Sequence, residues 1–263
     1  MNQESIIKQG EAFYEAHLSH QQIDTPCTFC PDLTKEEAYA IQSVYVKALT
    51  EKQGYHISGK KVGLTSKAMQ KLSNISEPDY GYMFHELGFF NGSSIPADKF
   101  IEPRVECEIA FKLCKDLNKE KVSVEEVLDA TEYVIAAMEI CDFRMFREKT
   151  QRTVMDSIAD NAAFGGYVLG DVPVDPHKID LAMVPFIFEF NNRQAEVSCG
   201  AAVYDHPAKS VAWLAETFYR VGDPLRAGEL ILSGSAVASL PVSAGDSLRC
   251  RMGQLGEVSC RFV

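Results

Sequence analysis

The stretch Ile101–Lys115, IEPRVECEIAFKLCK, limits the fold more than any other part of the chain. Its residues alternate as a strand requires. Val105, Cys107, Ile109 and Phe111 fall on one face, and Arg104, Glu106, Glu108 and Ala110 on the other. The apolar face needs a core to cover it. The second face carries two carboxylates whose Cα atoms sit roughly 6.5 Å apart in an extended strand. Such a pair either lies on a solvated surface or converges on a cation, because two close carboxylates repel unless a charge or a proton intervenes. A hard divalent ion with oxygen ligands and open positions suits the second case.

Other segments offer partners. Tyr133–Cys141, YVIAAMEIC, is an apolar run in which Glu139 stands near the end. Buried carboxylates are rare without a partner or metal. In Gly59–Ser66, GKKVGLTS, alternation turns only one of Lys60 and Lys61 inwards, with the other expected in solvent. Glu77–Gly81, EPDYG, reads by itself as a turn. Asp156–Gly166, DSIADNAAFGG, brings Ser157, Asp160 and Asn161 beside a Gly-Gly turn. Leu232–Ser235, LSGS, is a small-residue turn after a strand, where backbone N–H groups can approach an anion.

The remaining chain predicts an α+β fold. Before residue 55 it reads helical. Ile6, Ile7, Gly10, Phe13, Tyr14, His17 and Leu18 share one helical face. Thr34 with Glu37 forms a capping-box signature before Ala38, Ile41, Val44, Tyr45, Ala48 and Leu49. These helices read as a lid or flank. From about Ser58, short β-like runs alternate with turns. Strands are expected at Lys60–Leu64, Val105–Leu113, Tyr133–Cys141, Tyr167–Leu169, Val184–Phe190, Glu229–Ser233, Ser247–Met252 and Val258–Phe262. Asn191-Asn192 suits a tight hairpin. Further helices follow Ser123 and Pro207. The expected division is a helical flank at 1–55 and a catalytic domain at 56–263.

A net charge of −11 argues against nucleic-acid binding, so an acidic substrate needs a local cationic centre. The eight cysteines are scattered apart from Cys27 and Cys30, and no signal-like or membrane-spanning run is visible. A cytoplasmic, reduced protein is the expectation. Cys27-x-x-Cys30 lacks the further ligands of a zinc site.

Taken in order, GKKVGLTSKAMQ, EPDYG, PRVECEIAF, VLDATEYVIAAMEICD, DSIADNAA, HPAKSVAWLA, AGELILSGS and LGEVSCRF resemble the hydratase branch of the fumarylacetoacetase superfamily, over nearly the whole chain from about Thr34. The resemblance implies a fumarylacetoacetase-like mixed β-sheet roll or partly open barrel. It implies Mg2+ or Mn2+ held by Glu106, Glu108 and Glu139, with Lys61 and Asp79 as catalytic groups. Leu64, Ser157, Asn161, Ser233 and Ser235 fall at its substrate-binding positions. The implied substrate is a small 2-oxo or dienol carboxylic acid, 2-oxohept-4-ene-1,7-dioate first, hydrated to a 4-hydroxy-2-oxo acid. Hydration of 2-hydroxypenta-2,4-dienoate and decarboxylation of 4-oxalocrotonate are the alternatives. A pentameric or decameric homo-oligomer is implied too. One departure stands out. The seven-carbon hydratases carry an arginine after the small-residue turn, where this chain reads Ala236–Leu240, AVASL. Arg144, Arg147 and Arg152 are the candidate replacements for holding a distal carboxylate.

Overall fold

The computed structural model describes residues 1–65, 78–146 and 152–263. Its centre is the antiparallel pair β5 (Pro103–Leu113) and β6 (Thr131–Asp142). Around it lie β1 (Ile57–Gly63), β2 (Asp79–Phe84), β3 (Gly88–Phe90), β7 (Phe164–Leu169), β10 (Leu230–Leu232) and β11 (Leu240–Pro241). They form one mixed sheet in the order β2-β1-β10-β5-β6-β7-β3, with β11 paired to β5. A second sheet runs β4-β13-β12-β8-β9, from β4 (Ser93–Ile95), β8 (Pro185–Phe190), β9 (Arg193–Cys199), β12 (Ser247–Arg251) and β13 (Glu257–Phe262).

Each face of the large sheet has its own core. Val105, Cys107, Ile109 and Phe111 pack with Phe186, Leu248, Cys250 and Phe262 of the second sheet. Helix Pro207–Arg220 closes the same core through Val211, Leu214 and Phe218. The opposite face, with Ala110, Ile135, Ala137 and Leu232, packs against Phe13, Ile41 and Tyr45. Those residues come from α1 (Gln3–Ser19) and α3 (Lys35–Lys52), with the short α2 (Pro26–Phe29) between them. The N-terminal helices thus cover the sheet face on which Glu106 and Glu108 lie.

The expected strands all form, within a few residues of their expected ends. Thr34 and Ser123 close full capping boxes. Asn191 and Asn192 take φ of 50° and 60°, the left-handed pair that a tight hairpin between β8 and β9 needs. Two expectations are corrected. The buried face of α1 is Gly10, Phe13, Tyr14 and Ala16, while Ile7 and Leu18 are exposed. Within EPDYG, residues from Asp79 onward begin strand β2 instead of a turn, because Asp79 to Phe84 find a complete antiparallel partner in β1. Glu77 lies outside the described residues.

Candidate active site

Register assembles the site. Glu106 stands directly opposite Glu139 across β5 and β6, so both carboxylates leave the same face, with Glu108 two residues along. Lys61 pairs with Leu232, and Leu232 with Ala110, which puts the Lys61 side chain on that face too. Its Nζ lies 3.1 Å from Glu139 Oε1. Asp79 pairs with Gly63 on the neighbouring strand. A Cβ on Gly63 would stand 2.0 Å from Asp79 Oδ1 and 3.3 Å from Lys61 Nζ, so only glycine lets the two groups share this corner.

These groups are enclosed. Glu108 and Glu139 have no solvent exposure, Lys61 and Asp79 almost none, and Glu106 is partly exposed. Glu108 accepts a 2.7 Å hydrogen bond on Oε2 from Gly234 N–H. Among the described residues, Glu108 Oε1, Asp79 Oδ1 and both Glu139 oxygens are buried without a hydrogen bond. Burial raises the Glu106 carboxyl to about 7, with the Glu139 charge adding to the effect. Burial likewise lifts Glu108 well above the carboxylate range, followed by the charges of Glu139 and Glu106. Asp79 rises for the same first reason, against the pull of Lys61. Burial works against the Lys61 ammonium, yet the surrounding acids, Glu139 foremost, outweigh it and hold its pKa above the ordinary value. Among the described residues the cluster therefore gathers more acidic groups than can ionise beside Lys61 alone, with buried oxygens left over. That donor set fits a hard divalent cation.

One residue joins that the sequence reading left among the scattered thiols. Cys141 shares the face of Glu139, and the donor atoms of Glu106, Glu139 and Cys141 all lie within 4.8 Å of one another, a grouping that Glu108 does not join. The strand alternation that exposed Glu106 and Glu108 carried this signal, since Cys141 is two residues beyond Glu139. Arg104, opposite Cys141 in register, also reaches this end of the site. It donates from Nε to Ser239 Oγ at 2.9 Å and from Nη2 to the Ser239 carbonyl at 2.6 Å.

The other expected site residues divide. Gly234 takes φ of 100°, and a Cβ there would meet Thr65 at 2.3 Å, so the turn needs glycine to bring its N–H onto Glu108. Ser233 is buried, with its carbonyl accepting from Ser210 Oγ at 2.6 Å. Ser235 Oγ is engaged within its own turn by the Val237 carbonyl and N–H. Leu64 follows β1 with φ of 57°, and Ser157 is half-buried on helix Val154–Ala159. Asn161 spends both ends of its amide on Tyr82, accepting its N–H and donating to its carbonyl at 2.8 Å each. It clamps β2, the strand that carries Asp79.

Lys60 requires a correction. It is 2% exposed rather than solvated, on the opposite sheet face. There its ammonium bonds Glu229 and lies 4.9 Å from the Phe218 ring centre. Arg144 is also corrected as a distal-carboxylate group. It is buried, ion-paired with Asp160, and donates to the carbonyls of Asp160 and Phe164 at 3.0 Å each. Arg152 lies 4.1 Å over the Phe143 ring, and Arg147 is outside the described residues.

The family model for the fumarylacetoacetate (FAA) hydrolase C-terminal region matches residues 49–263. The chain belongs to the fumarylacetoacetate hydrolase family. Within curated members of this family, it is 41% identical over 253 residues to 2-oxo-hept-4-ene-1,7-dioate hydratase of Escherichia coli, covering 95% of this chain and 94% of that one. It is 39% identical over 260 residues to 2-hydroxyhexa-2,4-dienoate hydratase of Comamonas testosteroni, covering 98% and 97%. Among solved structures, 4-oxalocrotonate decarboxylase from Pseudomonas putida G7, complexed with magnesium and adipate, superposes with a TM-score of 0.94 at 30% identity, covering 100% of this chain and 99% of that chain. Fumarylpyruvate hydrolase from Pseudomonas aeruginosa, in complex with Mn2+ and pyruvate, shares the fold at a TM-score of 0.61 and 16% identity, over 78% and 88%. The mixed, curled sheet with N-terminal helices is thus the family fold. Among the described residues, no helix is long and apolar enough to cross a membrane.

Proposed function

We propose that this member of the family is a divalent-cation-dependent hydratase. It adds water to a 2-hydroxy-2,4-dienoate or its 2-oxo tautomer, 2-oxohept-4-ene-1,7-dioate foremost, to give a 4-hydroxy-2-oxo acid. The observation that carries this reading is the buried carboxylate cluster beside Lys61 and Asp79, with oxygens left without hydrogen bonds among the described residues. The hydratases at 41% and 39% identity supply the reaction class. In this reading Glu106, Glu108 and Glu139 hold Mg2+ or Mn2+, which supplies Lewis-acid stabilisation of charge on the 2-oxygen.

The chain's own residues do the rest. Lys61, kept charged by its acidic neighbours, holds the substrate carboxylate or 2-oxygen against Glu139. Asp79, with a buried oxygen facing the same corner, moves protons. Tautomerisation first puts a proton on the γ carbon and leaves the α–β double bond conjugated with the carbonyl. Asp79 then takes a proton from the water that attacks the β carbon while the α carbon gains one, so the product is substrate plus one water. The N-terminal helices exclude bulk water from this face. Arg104, tethered to the turn that lacks the expected arginine, is the cation placed to meet a second carboxylate. The family resemblance supports assembly as a pentamer or decamer, which sedimentation velocity reads directly.

A second reading, decarboxylation of 4-oxalocrotonate, is favoured by the 0.94 superposition. One experiment separates the two. Purified protein with Mg2+ is given the seven-carbon dioate, 2-hydroxypenta-2,4-dienoate and 4-oxalocrotonate, and absorbance and product mass are followed. Gain of one water with the dienoates is expected. Loss of CO2 from 4-oxalocrotonate, faster than any hydration, overturns the hydratase reading.

A further inference from the structure

We infer that Cys141 lies within ligand reach of the Glu106–Glu139 centre and biases that centre towards thiophilic divalent cations such as Co2+ and Cd2+. The inference rests on the reading that these carboxylates hold a cation, and it extends that reading to a soft donor. Three observations carry it. The Glu106, Glu139 and Cys141 donor atoms fall within 4.8 Å of one another, and theirs is the only such group of three among the described residues. Cys141 is buried, 6% exposed, on the same strand face as Glu139, so its thiol has little water to compete for it. Both Glu139 oxygens are fully buried, and among the described residues Oε2 has no hydrogen-bond partner while Oε1 has only the Lys61 ammonium at 3.1 Å.

Distances permit shared coordination. With metal–sulfur and metal–oxygen bonds of about 2.3 and 2.1 Å, two donors on one ion lie up to about 4.4 Å apart. The observed span therefore closes with small side-chain movements. Thiolate donors favour softer ions, whereas Mg2+ gains nothing from sulfur. On coordination the thiol gives its proton to buffer and the sulfur pair goes to the cation. Cys107 has no such role. It lies on the opposite face of β5, in the core with Cys250 and Cys260.

The test uses the full chain, stripped with EDTA and loaded with Co2+. Sulfur-to-cobalt charge-transfer absorption in the near ultraviolet is expected in the wild type and absent in Cys141→Ser. Calorimetric titration with Cd2+ and Mg2+ gives a second readout. The ratio of Cd2+ to Mg2+ affinity should fall at least about tenfold in Cys141→Ser. Bound Co2+ showing only the d–d bands of oxygen coordination in the wild type overturns the inference and leaves the carboxylate centre standing. No binding of Co2+ or Mg2+ by the wild type overturns the centre itself and this inference with it.

Discussion

At the scale of single residues, two adjacent lysines separate chemistry from stability. Lys61 faces the carboxylates and Lys60 faces the core beside Phe218. Lys61→Met should lower kcat at least ~100-fold, the low end for a group that stabilises or moves charge. Lys60→Met should leave the site intact and cost about 2 kcal/mol of stability, since Glu229 loses its buried partner but keeps some water. Paired kinetics and urea melts check both. The reverse assignment would mean that β1 is out of register by one residue. Alternation showed that the two lysines part. It could not show that Lys60 would be buried as well, because Glu229 and Phe218 lie far away in sequence. Gly63 gives a third residue-scale outcome. Gly63→Ala places a methyl against Asp79 Oδ1, so kcat should fall by tenfold or more, about 1.4 kcal/mol at the transition state. A Gly63→Ala enzyme with wild-type kcat would show that Asp79 need not hold its observed place.

Elements explain why some of the site was legible and some was not. β5 announced itself, because an apolar face and a carboxylate face alternate over its length. Glu139 stood out as a lone charge in an apolar run. β2 did not, since Pro, Asp and Gly are turn residues locally and only pairing with β1 makes them a strand. The device that holds β2 was equally hidden. Asn161 is the first of three consecutive residues with positive φ, at 52°, 50° and 57°, and no local pattern predicts such a run. Its amide grips the Tyr82 backbone on both sides, while Gln42 of α3 donates to the Tyr80 carbonyl at 2.9 Å. Asn161→Ala takes the side-chain partner from a part-buried N–H and carbonyl of β2, so a loss of about 1–2 kcal/mol is expected. Because Asp79 begins the same strand, kcat should fall as well. A variant destabilised to that degree but fully active would sever the clamp from catalysis.

For the whole molecule, the N-terminal helices and the sheet share one core, and a single histidine couples their union to pH. His17 of α1 sits 5.9 Å from the Tyr55 ring and 6.2 Å from Tyr45. Glu86, Lys99, Asp142 and Arg144 line the same recess. Burial lowers the His17 pKa to about 3, and the Arg144 and His20 charges push the same way. In the unfolded chain the imidazole titrates near 6.5. Between those values the unfolded state binds the extra proton, so the contribution of His17 is fully present above about pH 6.5 and is lost as pH falls towards 3. At pH 5 the shift is worth at most about 2 kcal/mol, and nearer 1 once the ring's partial contact with water is allowed for. Other groups titrate in the same window, so the measurement is a difference. Urea stabilities of the wild type and of His17→Gln are compared at pH 7 and pH 5. The wild type should lose about 1 kcal/mol more than the variant on acidification. Equal losses would show that His17 stays accessible to protons in the folded protein, and that α1 does not seal the covered face of the sheet.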